Sequence, residues 1–372
     1  MKIGILTYHR ARNYGAFLQS ISLCMRLNEE DDIEAEIIDY DMKKAQKAYS
    51  IRLFSLKGIY HFKKTFFDLK MNRAFKRGYE KTKTIRSEEL LISDNLDEFQ
   101  TFIAGKYDVI IVGSDEVWNT MYYRGFAKPY FLIGVDGCRK FSYAASARCD
   151  YNKLNENEHI ILQNGLKEFE YISVRDRLTF NQIIAEGIDC NKVTISCDPS
   201  FLYDFKVKKK ELRSIIKNKK YDENKKSILV LCENKEVCKS IRKELDSSYN
   251  LIIAATRADG YISIANLDPF EWMELIKSVD FVISSFFHGV CFSIINNTPF
   301  IAIASSSSRK SKLLDLLNDS TLENHFVDLS DNVNVPWQEY VDSFLKEEDY
   351  SDFVNNMKKD FNGYLEHLRN RL

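Results

Sequence analysis

The sequence predicts an α/β protein of two doubly wound, Rossmann-like domains, with parallel sheets facing a cleft. Three observations carry this. The 372 residues exceed the roughly 100–200 that one ordinary core organises. Apolar strand-like runs alternate with helical spacers in two successive series. A lysine-rich break, KVKKKELRSIIKNKKYDENKK, separates the two. Strands spaced by helices form parallel βαβ units covered on both faces.

The first series begins with KIGILTY and a helical pattern over residues 16–27. AEIIDY and a basic helical region follow, then YDVIIVG, KFSYAAS, YISVRD and KVTISCD. After the break come SILVLC, LIIAAT, VDFVIS and FIAIAS, again with helical spacers. These patterns assign residues 1–205 to the first domain and 206–335 to the second. An amphipathic segment over 336–372 is expected to pack back toward the first domain. Two such domains across a crevice make a GT-B-like architecture.

Composition narrows the class. With 45% hydrophobic and 29% charged residues, and only 5 prolines and 14 glycines, the chain reads as ordered and globular. No apolar run reaches the roughly 18–20 residues of a membrane span. Met1 opens directly into KIGILTY rather than a signal peptide, so a cytoplasmic protein is expected. The 8 cysteines show no CxxC pair or zinc-spaced Cys/His cluster, and no metal is expected. Residues 43–86 carry 14 Lys/Arg against Asp68 and Glu80, interleaved with Phe54, Tyr60, Phe62, Phe66, Phe67 and Phe75. Such a segment either meets an anionic membrane surface or forms solvated helices packing an aromatic face on the domain. Nothing resembles a nucleic-acid module, and no nucleic-acid partner is expected.

Open parallel sheets bind ligands outside the carboxyl ends of their strands, so residues just after each apolar run carry the chemistry. After KIGILTY, Asn13, Tyr14 and Gly15 make a turn and a helix start, whose backbone N–H groups suit a phosphate or carboxylate. The stretch lacks GxGxxG and the P-loop pattern, which disfavours a dinucleotide or Walker site. After YDVIIVG, Ser114 and Asp115 offer an acceptor and a candidate base beside Trp118, an aromatic face of the kind sugars stack on. The competing reading has Asp115 capping the next helix and Trp118 in the core. Ser146 follows KFSYAA. Arg175, ending YISV, either grips an anion through two parallel hydrogen bonds or pairs with Asp176. Four serines before Arg309 and Lys312 make an anion cradle or a flexible loop. His288 and Gly289 interrupt the apolar stretch FVISSFFHGVCFSI, where a histidine is either satisfied in the core or a site.

In combination these stretches are more specific. NYGAFLQ, VGSDEVWN, SYAAS, ISVRD, CDPSFL, FHG with FSIINNTPF, and SSRKSKLLDLL occur in the order seen in polysaccharide pyruvyl transferases, and the resemblance spans about residues 2–317. It implies a GT-B-like fold and transfer of pyruvate from phosphoenolpyruvate to a sugar of a bacterial surface polysaccharide, or its lipid-linked precursor, as a cyclic ketal. His288 is then the proton donor, and Arg175 and Arg309 the anion clamp with Lys312 behind them. Asp115 assists deprotonation. No cofactor is implied beyond phosphoenolpyruvate as donor substrate. Region 43–86 would hold the enzyme at the inner membrane face. Two positions depart from the family pattern: Phe286 stands where characterised members resemble Arg-Leu-His-Gly, and Glu116 where glutamine is usual. A nucleotide-sugar glycosyltransferase of the same fold, or a noncatalytic glycan-assembly protein, is the alternative.

Overall fold

The computed structural model describes residues 1–49, 62–216, 220–254, 256–318, 321–346 and 348–370. Phe54 and Tyr60 of the basic region lie outside them. The chain divides into two compact units: Met1–Ser50, Tyr79–Tyr203 and Met357–Leu372 form the first, and Ile51–Gly78 with Asp204–Asn356 the second.

The first unit is built on six parallel strands in the order β2-β1-β5-β6-β7-β8. These are β1 (Lys2–Leu6), β2 (Glu34–Ile37), β5 (Val109–Val112), β6 (Arg139–Ala145), β7 (Tyr171–Val174) and β8 (Val193–Ile195). A two-stranded pair, β3 (Tyr40–Asp41) and β4 (Leu91–Ile92), is separate. The second unit has the order β11-β10-β9-β12-β13-β14. Its strands are β9 (Ser227–Leu231), β10 (Asn250–Ala254), β11 (Ile262–Ile264), β12 (Phe281–Ser284), β13 (Phe300–Ala304) and β14 (Phe326–Asp328). Central strands such as β5 and β9 are buried at every position, as a sheet covered by helices on both faces requires. The strand order reverses between β1 and β5 in one sheet and between β9 and β12 in the other. Ligands of doubly wound folds bind at such switch points, outside the carboxyl ends.

Two expectations about organisation change. The sequence places 43–86 wholly in the first domain, whereas the structure divides it. Helix Lys43–Tyr49 belongs to the first unit, and most of helix Phe62–Lys81 to the second. Its aromatic residues do not form one face: Phe75 is 1% exposed and Phe66 57%. The segment 336–372 also divides. Trp337 opens a helix of the second unit, where its Nε1 donates to Ser240 Oγ at 2.9 Å. Helix Phe361–Arg369 lies in the first unit, with Phe361 and Tyr364 edge-on to Tyr143 at 5.3 and 4.8 Å. In addition, β11 and β14 join the second sheet, although three residues each are too few to give a periodic signal. No helix among the described residues is long and apolar enough to cross a membrane.

Candidate active site

In the first unit, the chain leaves β5 through Gly113, whose φ is +119° and where a Cβ would collide with the Tyr143 carbonyl oxygen. Glycine alone fits there. Thr7 Oγ1, just past β1, donates to Ser114 O at 2.9 Å and ties the two strand ends together at the switch point. Ser114 is buried, its Oγ donating to Ala144 O at 2.9 Å. Arg175, at the end of β7, donates through Nη1 to Asp198 Oδ2 at 2.8 Å and through Nη2 to Asp115 Oδ1 at 3.5 Å. Burial disfavours its charge, but the two carboxylates outweigh that and raise its pKa. Arg175 therefore holds Asp115 in place. Asp176 caps helix Arg177–Ala185 instead, accepting from Thr179 N at 2.8 Å and Ser146 Oγ at 2.6 Å.

Several sequence candidates of this unit have structural duties. Residues 114–120 form turns and no helix, so Asp115 caps none. Trp118 is fully buried; its Nε1 donates to Tyr130 O at 2.8 Å and its ring stacks on Phe131 at 5.9 Å, leaving no face for a sugar. Asn13 closes the helix start that was expected to cradle an anion, its Oδ1 accepting from Gly15 N at 3.0 Å and Ala16 N at 3.2 Å. Tyr14 is buried beneath it. Ser146 is buried as well. One cluster has no sequence signal: Asp39 accepts from Arg10 Nη2 at 2.6 Å and Arg86 Nη1 at 2.7 Å, and His9 Nε2 lies 3.0 Å away. Burial works against its charge, but His9 and Arg10 prevail and hold the carboxyl well below its ordinary range.

In the second unit His288 follows the carboxyl end of β12, which pairs with β9. Helix Phe287–Ile295 packs so closely that a Cβ on Gly289 would meet the Ser284 hydroxyl and lie 2.7 Å from Leu231 Cδ1. His288 sits in its first turn, 9% exposed, with Phe287 edge-on at 5.3 Å. Helix Ser307–Leu317, following β13, brings two cations to the same loop. Arg309 donates through Nη1 to Ser285 Oγ at 2.7 Å and through Nη2 to Glu233 Oε2 at 2.9 Å, and its guanidinium lies 5.5 Å over the Phe286 ring. Lys312 Nζ lies 5.7 Å over Phe287.

Both helices start without a side-chain cap, at Phe286 and Ser306 respectively, unlike the helix that Asn13 closes. Their amino ends carry the positive end of the helix dipole. Just after β9, the neighbouring Cys238 thiol lowers the pKa of Cys232 against burial, with help from the Asn234 backbone, Ser285 and the Arg309 charge. His288, Gly289, Arg309 and Lys312 thus gather in the second unit, and Ser114, Asp115, Ser146 and Arg175 in the first. Asp198, Ser285 and Glu233 escape sequence reasoning because their roles rest on partners distant in the chain. Asp198, in CDPSFL at a strand end, was the most readable of them. Among the described residues, no group of three or more His, Cys, Asp or Glu is placed to hold a metal ion.

Comparison with known proteins adds to this geometry. The UDP-GlcNAc 2-epimerase of Methanocaldococcus jannaschii is similar at a TM-score of 0.54 and 12% identity, covering 94% of each chain. That of Neisseria meningitidis bound to UDP-GlcNAc gives 0.53 and 11%, covering 98% of this chain and 100% of the other. A putative UDP-N-acetylglucosamine 2-epimerase from Listeria monocytogenes gives 0.55 and 10%, covering 98% and 96%. At these identities the likeness establishes a GT-B-like α/β fold. No protein of curated function matches the sequence significantly. The polysaccharide pyruvyl transferase model matches residues 13–307, which include Ser114, Asp115, Arg175 and His288 and end just before Arg309. With that match over most of its length, the chain belongs to the polysaccharide pyruvyl transferase family and is an enzyme of that kind.

Proposed function

We propose that the enzyme takes pyruvate from phosphoenolpyruvate and closes it as a cyclic ketal on two hydroxyls of a saccharide, releasing phosphate. The observation that carries this is the gathering of His288, Arg309 and Lys312 at two helix starts without side-chain caps. Phosphoenolpyruvate bears a carboxylate and a phosphate, and helix amino ends with a guanidinium and an ammonium suit both. Arg309 reaches over Phe286, so the neighbouring helix offers a cation at the place where characterised members of the family carry arginine. The exposed carboxylate of Glu233 holds the Arg309 fork until the donor carboxylate takes its place.

His288 gives a proton to the methylene carbon of the donor, which becomes a methyl group, and C2 becomes electrophilic. One sugar hydroxyl adds to C2 and loses its proton to solvent. The second hydroxyl then adds at C2 and its proton goes to the departing phosphate, which closes the ketal. With candidate saccharides, the wild type is expected to release phosphate and form ketal from phosphoenolpyruvate. His288→Ala should fall by a factor of about 10²–10⁴. An active His288→Ala enzyme would overturn the assignment of the donor, and a wild type inert toward phosphoenolpyruvate would overturn the reaction.

The acceptor is proposed to be lipid-linked and met at an anionic membrane face through region 43–86. Phe66 is exposed there, with Lys70 Nζ 4.7 Å over its ring. Sedimentation with vesicles of anionic but not neutral phospholipid, weakened in Phe66→Ala, is the expected outcome; equal sedimentation with both would refute it.

A further inference from the structure

We propose that residues 116–124, with Arg148, form the acceptor subsite of the first unit, where a hexopyranose ring stacks on Tyr122. The proposal rests on the pyruvyl-acceptor reading above. The loop departs from the end of β5 directly after Asp115, at the switch point of the first sheet. A ladder of rings and one guanidinium carries it from the core to solvent. Arg124, only 2% exposed, lies 3.8 Å over the Tyr8 ring and 4.6 Å over the Tyr123 ring. Tyr123 in turn meets Tyr122 with centroids 4.3 Å apart at 50°. At the outer end Tyr122 is 53% exposed, beside Met121 at 47%. A single exposed aromatic residue needs no explanation. One held at the tip of such a ladder is a rigid face.

A polar network runs alongside it. Arg148 Nη1 donates to Glu116 Oε1 at 2.7 Å, Asn119 Nδ2 donates to Glu116 Oε2 at 3.2 Å, and Met121 N donates to Asn119 Oδ1 at 3.1 Å. The Arg148 and Glu116 side chains keep 27% and 21% of their surface open to solvent. Planar carboxylate, amide and guanidinium groups can each meet two neighbouring hydroxyls, and every sugar hydroxyl both donates and accepts. Glu116 balances the Arg148 charge. A phosphate or nucleotide would want that cation uncompensated, so the pairing favours a neutral polyol ring. The Glu116–Arg148 pair would set which hydroxyl configuration this chain accepts.

Saturation-transfer NMR with methyl hexopyranosides of gluco, galacto, manno and N-acetylglucosamine type tests the subsite without any donor. Wild type should bind at least one of them. Tyr122→Ala should weaken that binding at least tenfold, while Tyr122→Phe, which keeps the ring, stays within about twofold. Glu116→Gln should change the order of preference among the sugars. An unchanged thermal midpoint in Tyr122→Ala would confirm that folding is intact. No binding by wild type to any of the four, or equal binding by Tyr122→Ala, would overturn the proposal. Tyr122-dependent binding in an enzyme that releases no phosphate from phosphoenolpyruvate would leave the subsite standing and remove the donor reading.

Discussion

Truncating Arg175 would strand Asp198, whose side chain is fully buried, and leave Asp115 without its guanidinium. Breaking a buried ion pair from one side costs about 3–5 kcal/mol, because the remaining charge has lost its partner. Arg175→Leu is therefore expected to lower unfolding stability by about that amount, read from urea denaturation, and to abolish activity as a consequence. Unchanged stability with a selective rise in donor KM would instead make Arg175 a substrate clamp. The contrast with Arg309 lies in what binds each cation. Arg309 meets a hydroxyl and an exposed carboxylate, whereas Arg175 meets a carboxylate whose side chain is fully buried. Both arginines were readable as cations at the right edge of a sheet. What separates them is the pairing of Arg175 with Asp198 across 23 residues, which no local pattern announces. Trp118 misleads for a similar reason: an aromatic residue near a strand end is equally suited to the core, and only the hydrogen bond to Tyr130 decides.

At the scale of elements, the apolar runs were legible because a strand covered on both faces cannot tolerate polar positions, so β1, β5, β9 and β12 stand out of the sequence as blocks. Strand β11 does not, since Ser263 at its centre is exposed. Helix Phe287–Ile295 was legible in outline, but its closeness to β12 was visible only as the glycine after His288. That closeness can be tested. Gly289→Ala places a methyl group against the Ser284 hydroxyl and Leu231, and the helix must shift to accommodate it. Overpacking of this kind costs about 1–3 kcal/mol, and the shift would displace His288 in the preceding position. The expected result is a lowered thermal midpoint together with a lower kcat. A variant with wild-type midpoint and kcat would mean that the packing is looser than the backbone geometry requires.

At the scale of the molecule, two successive series of strands were enough to indicate two doubly wound units, while the chain's route between them was not readable. Each unit gathers segments from separate stretches, because Phe361, Tyr364, Leu365 and Leu368, all at most 3% exposed, bury against the first unit although they follow the second. An amphipathic helix advertises an apolar face but never the surface that covers it. Ending the chain after residue 359 removes four large buried side chains, each contributing about 1.5–3 kcal/mol, a total comparable with the whole stability of an ordinary domain. The first unit of that variant is expected to lose its cooperative unfolding transition, with Trp118 fluorescence shifting toward that of a solvated indole. Retention of both would show that the helix is dispensable.

The same route has a consequence for biosynthesis. Domains commonly fold one after another as the ribosome delivers them, the amino-terminal one first. Here the opening strands β1 to β8 emerge early, yet the aromatic edges of Tyr143 and Phe141 wait for Phe361 and Tyr364 more than two hundred residues later. Until then the nascent first unit keeps that apolar surface uncovered.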